Sequence, residues 1–155
     1  MIQRIQSAYL LLTSLLSALF LTGNILTLKR ESGPNIMMNI MDAWQVSGAG
    51  GNEIIQNQTP ALIILVLIIL LSIITIFFYK KRKLQMKLSL CVIVLIIAFI
   101  GIVLLYTISV INKLQASIIP GYKMFVPVLM LLSVILAYRG IRRDERLVKS
   151  YDRLR

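Results

Sequence analysis

The sequence predicts an all-α integral membrane protein, built as a bundle of four transmembrane helices with an amphipathic C-terminal cytoplasmic helix. Three observations support this fold class. Of the 155 residues, 58% are hydrophobic, only 15% are charged, and the apolar residues gather in four long runs. A soluble domain is about 45–50% apolar and about 25% charged. The excess of apolar residues therefore requires a membrane as solvent.

The four apolar runs are each long enough to cross a hydrocarbon core of about 30 Å, since a helix rises about 1.5 Å per residue. We place the spans at residues 7–28, 61–79, 88–111 and 118–138 of a single membrane domain, residues 1–155. The first span is expected to be a retained helix, because no small-x-small cleavage site follows it. Pro127 predicts a local kink in the fourth span.

The distribution of positive charge predicts how the chain is oriented. Thirteen of the 17 Lys and Arg residues lie on the side that holds both termini and the short turn 80–87. By the positive-inside rule, that side is cytoplasmic. The net charge of +11 therefore reflects topology first. No nucleic-acid recognition motif accompanies the basic residues, so binding to nucleic acid is not expected.

The loop 29–60 is the one long segment outside the predicted spans, and it permits two interpretations. Its larger apolar side chains recur at helical spacing, which favours a short helix lying on the membrane surface; they are Ile36, Met37, Ile40, Met41 and Trp44. The alternative is a small antiparallel sheet made from residues 26–30, 43–46 and 53–56.

The tail 139–155 has the pattern of an amphipathic helix that continues the fourth span. On a helical wheel its apolar residues share one arc, and they are Ile141, Leu147, Val148, Tyr151 and Leu154. Asp144 lies on the same arc, where a solvated helix has little reason to place a charge. We therefore predict that this face packs on protein and that Asp144 pairs with an arginine. The alternative is a helix lying among lipid headgroups.

The turn 80–87 carries four consecutive cations at residues 80–83. They recruit anionic lipid headgroups or an acidic partner, or they serve only to determine topology. Together with the tail, this turn supplies the candidate residues for partner or lipid interaction, which are Arg4, Lys80, Lys81, Arg82, Lys83, Arg139, Arg142, Arg143, Asp144, Arg146, Leu147, Tyr151, Arg153 and Arg155.

Composition argues against catalysis. The chain has no His and a single Cys, which removes the commonest general base and the usual zinc ligands. The predicted spans hold no Asp, Glu, His, Lys or Arg away from their ends apart from Lys123, which lies near an interface, whereas intramembrane chemistry needs such groups. We expect no catalytic residue, no metal site and no cofactor.

Three segments carry a resemblance to a known family. They are residues 1–6 (Met-Ile-Gln-Arg-Ile-Gln), residues 78–85 (Phe-Tyr-Lys-Lys-Arg-Lys-Leu-Gln) and residues 136–155, which end in Asp-Arg-Leu-Arg. Together they resemble an uncharacterised four-span membrane protein family of the Bacteroidota, a domain of unknown function. The resemblance implies a short protein of the bacterial inner membrane with no assigned activity.

These observations favour a non-catalytic accessory or structural subunit of a larger inner-membrane complex, with other inner-membrane proteins and anionic lipid headgroups as its partners. The Sec machinery for protein export is one candidate host. No small-molecule substrate is predicted. The alternative is a small homo-oligomeric channel or transporter component, lined by Thr13, Ser14, Ser17, Thr107 and Ser109.

Overall fold

Four helices make up most of the computed structural model, which describes residues 3–29, 36–40, 42–46, 52–114, 117–119 and 121–153. The helices are α1 (Gln3–Leu21), α2 (Thr59–Phe77), α3 (Arg82–Leu114) and α4 (Val126–Arg153). Short 3₁₀ turns at Phe78–Lys80 and Tyr122–Phe125 precede α3 and α4.

The helices form an antiparallel bundle in which each helix packs mainly against two others. Helix α1 packs against α2 and α4, and α3 packs against the same two helices. One end of the bundle holds the start of α1, the turn between α2 and α3, and the end of α4. Because most cations lie there, we name it the basic end. The opposite end carries a β-sheet, and we name it the sheet end.

Each helix buries one row of residues at alternating intervals of four and three, which is the 3.5-residue period of bundle helices. In α2 the row is Ala61, Leu65, Ile68, Ser72 and Thr75. The rows of α1 and α3 have the same spacing, and they are Gln6, Leu10, Thr13, Ser17 and Phe20, then Gln85, Ser89, Val92, Ile96 and Phe99. The Phe20 and Phe99 rings meet edge to face, with centroids 5.4 Å apart.

Three helical segments of the described chain are long and apolar enough to cross a membrane, namely Thr59–Phe77, Arg82–Lys113 and Tyr122–Val148. The apolar stretch of α1, Ile5–Leu21, is shorter. Large apolar side chains cover the outside of the bundle, including Leu15, Leu105 and Leu132, each about half exposed or more. A surface of this kind faces lipid, so the chain is a membrane protein.

The first and fourth predicted spans both extend too far towards the sheet end. Helix α1 ends at Leu21 instead of Leu28, and the chain turns at Gly23, whose φ of +68° suits a residue without a side chain. Helix α4 begins at Val126, so Pro127 lies in its first turn. A proline there lacks only an N–H that has no partner within the helix, so Pro127 lies where a helix tolerates proline and not in the helix interior.

The sheet has five antiparallel strands in the order β4-β3-β2-β1-β5. Their bounds are β1 Leu26–Lys29, β2 Ile36–Met38, β3 Asp42–Val46, β4 Asn52–Asn57 and β5 Ser117–Ile119. Strand β1 follows α1, β4 precedes α2, and β5 lies between α3 and α4. The sheet therefore connects to all four helices at one end of the bundle.

The helix favoured for loop 29–60 is wrong, and the alternative sheet is present with two more strands than expected. Met38 and Ile40 are fully buried while Met37 and Asn39 are partly exposed. This two-residue alternation is that of a strand. Pairing of Met37 with Trp44 places β2 beside β3. The apolar spacing in this loop fits both periods, so spacing alone could not decide between them.

The paired rings at the centre of the bundle yield a test of its packing. Replacing the fully buried Phe99 with alanine removes a large side chain from the core, and we expect a loss of about 3–5 kcal/mol of unfolding free energy. Chemical unfolding in detergent micelles, followed by circular dichroism, measures it. Phe125→Ala is the matched control, because that ring is 64% exposed and should change stability by less than about 1 kcal/mol. Equal losses for the two variants would contradict the packing described above.

Candidate functional site

A buried carboxylate organises the basic end. Asp144 lies on α4, is only 8% exposed, and accepts a 2.5 Å hydrogen bond at Oδ2 from Nε2 of Gln6 on α1. Gln6 is itself 4% exposed. A hydrogen bond to a carboxylate contributes about 1.5–3 kcal/mol. The first and fourth helices are thus joined through side chains 138 positions apart.

The third helix also contacts this segment of α4. Nη1 of Arg82 donates a 3.3 Å hydrogen bond to the main-chain oxygen of Asp144. A small cleft around these groups brings together residues from all three helices and the turn before α3, namely Gln6, Ser7, Tyr79, Arg82, Gln85, Ile141 and Asp144. We call the trio of Gln6, Arg82 and Asp144 the latch.

A glycine allows α1 and α4 to approach closely at the latch. A Cβ atom added to Gly140 would lie 2.8 Å from Cγ of Gln6, which is closer than real Cβ contacts. Ile141, the next residue, is 1% exposed. The absence of a side chain at Gly140 therefore leaves the space in which Gln6 reaches Asp144.

The arginines beyond the membrane-spanning part of α4 lie away from the latch. At about 100° per residue, Arg139 and Arg143 are each about 160° from the buried Ile141. Both are exposed, as are Arg142 and Arg146, which lie on the flank of α4 that faces α3. The latch holds the buried side of this part of α4, so the exposed arginines extend from a helix that is joined to α1 and α3.

The other predicted interaction residues have varied surroundings. Lys81 and Lys83 are exposed in the turn and at the start of α3, whereas Arg82 is half-buried at the latch. Leu147 is 43% exposed. Arg4 lies in α1, Lys80 in the 3₁₀ turn before α3, and Tyr151 and Arg153 in the last turns of α4. Arg155 lies outside the described residues.

One detail of the predicted tail face is wrong. The donor to the Asp144 carboxylate is Gln6 instead of an arginine, while Arg82 bonds to the main chain of the same residue. Ile141 and Asp144 are buried against the bundle, whereas Leu147 and Val148 are 43% and 41% exposed.

The sheet end has a second buried polar contact. Lys123 is 7% exposed, and its ammonium group donates a hydrogen bond to the main-chain oxygen of Thr22 at the end of α1. A lysine shielded in this way satisfies a carbonyl that the helix leaves without an internal partner. Beside it, residues of α1, α3, α4 and β1 line an apolar pocket of about 290 Å³ that is open on one side. No group of three metal-ligating side chains occurs among the described residues.

Sequence reasoning missed two residues of this site, Gln6 and Gln85. Both are 4% exposed, and each stands in the buried row of its helix at the basic end. The available signal was their spacing, since Gln6 precedes Leu10, Thr13 and Ser17 at intervals of four, three and four. A glutamine in such a row faces the interior and needs a partner there.

The fold and the latch define a helical membrane protein whose buried carboxylate fixes a basic helix to the bundle. The chain belongs to the family described as a domain of unknown function, DUF4293, which it matches over residues 2–154. This agrees with the resemblance noted in its sequence. No curated protein matches the chain.

The hydrogen bond between Gln6 and Asp144 of the latch can be tested by exchanging the amide and carboxylate groups of these two side chains. Gln6→Glu places two carboxylates at hydrogen-bond distance and removes the donor, so we expect a loss of about 2–3 kcal/mol of unfolding free energy in detergent. Adding Asp144→Asn restores a donor and an acceptor with their positions reversed, and it should recover most of that loss. If the double variant were no more stable than Gln6→Glu alone, the two side chains would not be coupled.

Proposed function

We propose that this protein is a non-catalytic accessory subunit of a larger membrane protein complex, and that it docks through the basic face of α4. The observation that supports this proposal is the latch, in which α1 and α3 hold the segment around Asp144. A tail that served only as a charged anchor would not need a buried carboxylate, since topology depends on the number of Lys and Arg residues.

This face is suitable for docking because the helix that carries it is already held in place. Binding a partner orders flexible side chains and segments at a free-energy cost, and a preordered surface lowers that cost. Arg139 and Arg143 are one helical turn apart on the exposed side of a helix that is fixed on its other side. Guanidinium groups pair with carboxylates in a bidentate geometry, so an acidic protein surface fits this face.

The proposal includes a topology of four spans in the bacterial inner membrane, with both termini and the turn 80–87 in the cytoplasm. The charge distribution supports it, because most cations lie at the basic end. Helix α1 has only a short apolar stretch, but it packs beside α2 and α4 and runs from the basic end to the sheet. This packing supports counting α1 as the fourth span of the proposal.

A transport pathway through a single bundle has less support. The buried rows include large apolar side chains at several levels, among them Leu10, Phe20, Phe99 and Met130, all with no exposed surface. The hydroxyls of Thr13 and Ser17 are bonded to the main chain of α1 itself, at 2.9 and 2.8 Å. These polar side chains therefore act as packing residues in the described bundle.

Co-purification tests the docking face. The double variant Arg139→Glu/Arg143→Glu reverses two charges opposite the latch, so we expect it to lose its partner proteins when the full chain is purified in mild detergent and analysed by mass spectrometry. Lys29→Glu/Lys113→Glu is the matched control, since both residues are exposed at the sheet end. The control should retain the partners. A parent protein that purifies alone at low and high salt would overturn the proposal.

The topology is tested by cysteine labelling in a Cys91→Ser background. A membrane-impermeant maleimide applied to spheroplasts should label Lys113→Cys, whereas Lys81→Cys should react only after the membrane is permeabilised, because the positive-inside rule places residue 81 in the cytoplasm. Both positions are exposed, so a difference in labelling reports the side of the membrane on which each residue lies. Labelling of Lys81→Cys in intact spheroplasts would contradict the proposed orientation.

A further inference from the structure

A groove between α3 and α4 opens at the basic end, separate from the latch. It has a volume of about 340 Å³ and is lined by Met86 of α3 and by four residues of α4, namely Tyr138, Arg142, Glu145 and Arg146. On the helix these four residues lie on the flank of α4 that faces α3, about 40–140° from the buried Ile141. Arg139 and Arg143, which form the proposed docking face, lie outside the groove.

The groove combines cationic and apolar groups in the way that an amphiphile requires. Arg142 and Arg146 are one helical turn apart and both are exposed, so their guanidinium groups can approach one phosphate together. Met86 and the ring of Tyr138 are half-buried and form the apolar part of the lining. A soluble phosphate would use only the arginines, whereas a phospholipid would use both parts.

The groove lies at the level of the bilayer that lipid headgroups occupy. Tyr138 follows the last apolar turns of α4 and precedes its arginines, and tyrosine favours the boundary between hydrocarbon and headgroups. Lys83 and Lys87 lie on α3 within one turn of Met86, and both are exposed. The groove is therefore surrounded by cations at the level where phosphates of the bilayer lie.

Apolar side chains continue from the groove into the bilayer. On α3, Leu90 and Ile97 lie within about 40° of Met86 and are 51% and 55% exposed. From residue 86 to residue 97 the helix rises about 16 Å, about half of the hydrocarbon thickness. An acyl chain of one leaflet can therefore lie along this seam while its headgroup occupies the groove.

The formal charges of the lining indicate which headgroup fits. Two guanidinium groups and the carboxylate of Glu145 leave one net positive charge, and one phosphodiester carries one negative charge. The neighbouring cations repel an additional ammonium group. These charges favour a phospholipid with a net charge of −1 over a zwitterionic phospholipid.

We propose that the groove formed by Met86, Tyr138, Arg142 and Arg146 binds one anionic phospholipid, with its phosphodiester on the two arginines and an acyl chain along Leu90 and Ile97. This site is independent of the proposed docking face, because the two use different arginines on different sides of α4.

Native mass spectrometry of the full chain in detergent, with equal amounts of phosphatidylglycerol and phosphatidylethanolamine, tests the site. We expect the parent protein to retain one phosphatidylglycerol in preference to phosphatidylethanolamine. Arg142→Gln/Arg146→Gln should weaken this binding at least about tenfold, since two charge-assisted hydrogen-bond donors are lost. The matched control Arg139→Gln/Arg143→Gln removes the same charge from the same helix and should change binding by less than about twofold.

A second variant tests the groove without changing charge. Met86→Trp fills the apolar part of the lining and should also lower phosphatidylglycerol retention, while circular dichroism checks that the bundle remains folded. Several outcomes would overturn the proposal. They are equal losses in the two arginine pairs, equal retention of the two lipids, full retention by Met86→Trp, and displacement of the lipid by an equal concentration of glycerol 3-phosphate, which would indicate a site for soluble phosphates.

Discussion

The hydrogen bond between Gln6 and Asp144 is the interaction on which the geometry of the basic end depends. A carboxylate buried beside a membrane has few donors within reach, and its desolvation is offset only if a donor is placed accurately. Gln6 provides that donor because Gly140 leaves room for α1 to approach, and Arg82 holds the adjacent main chain. Since α4 runs without interruption to Arg153, fixing it at one turn also sets the direction of the arginines beyond that turn.

The helical part of the fold could be predicted from the sequence, because apolar runs of about 20 residues have few other solutions. Which side of each helix faces inward was harder to predict. Helices α2 and α3 are apolar on almost every side, so lipid-facing Ile63 and buried Leu65 are of the same chemical class and differ only in their neighbours. In α1 the small polar residues Thr13 and Ser17 lie in the inner row, but Ser7 and Ser14 lie outside it, so small polar residues alone do not identify the buried side.

The sheet and the latch depend on pairings across long stretches of chain, which local patterns do not encode. Strand β5 pairs with β1, so Thr27 lies beside Ile119. The Pro-Gly pair at residues 120–121 is a local signal for a turn, but it does not indicate which strand β5 pairs with. The hydrogen-bond donor to Asp144 was equally hard to predict from the sequence. Its position on an apolar arc indicated that a donor must lie nearby, but an arginine and a glutamine both meet that need. The donor is Gln6 because α1 packs close to α4 at this position.

The order in which the chain is synthesised determines when α1 acquires its contacts. Helix α1 leaves the ribosome first, yet its contacts at both ends come from residues made much later. Its C-terminal end contacts Lys123, and strand β1, which follows it, pairs with β5. Gln6 near its N-terminal end bonds to Asp144. Before α4 is made, the shortest apolar helix therefore packs mainly on α2, with Phe20 meeting Phe99 of α3. Contacts from the C-terminal region hold both ends of the N-terminal helix, so we expect a chain that stops before α4 to hold α1 less tightly in the bundle.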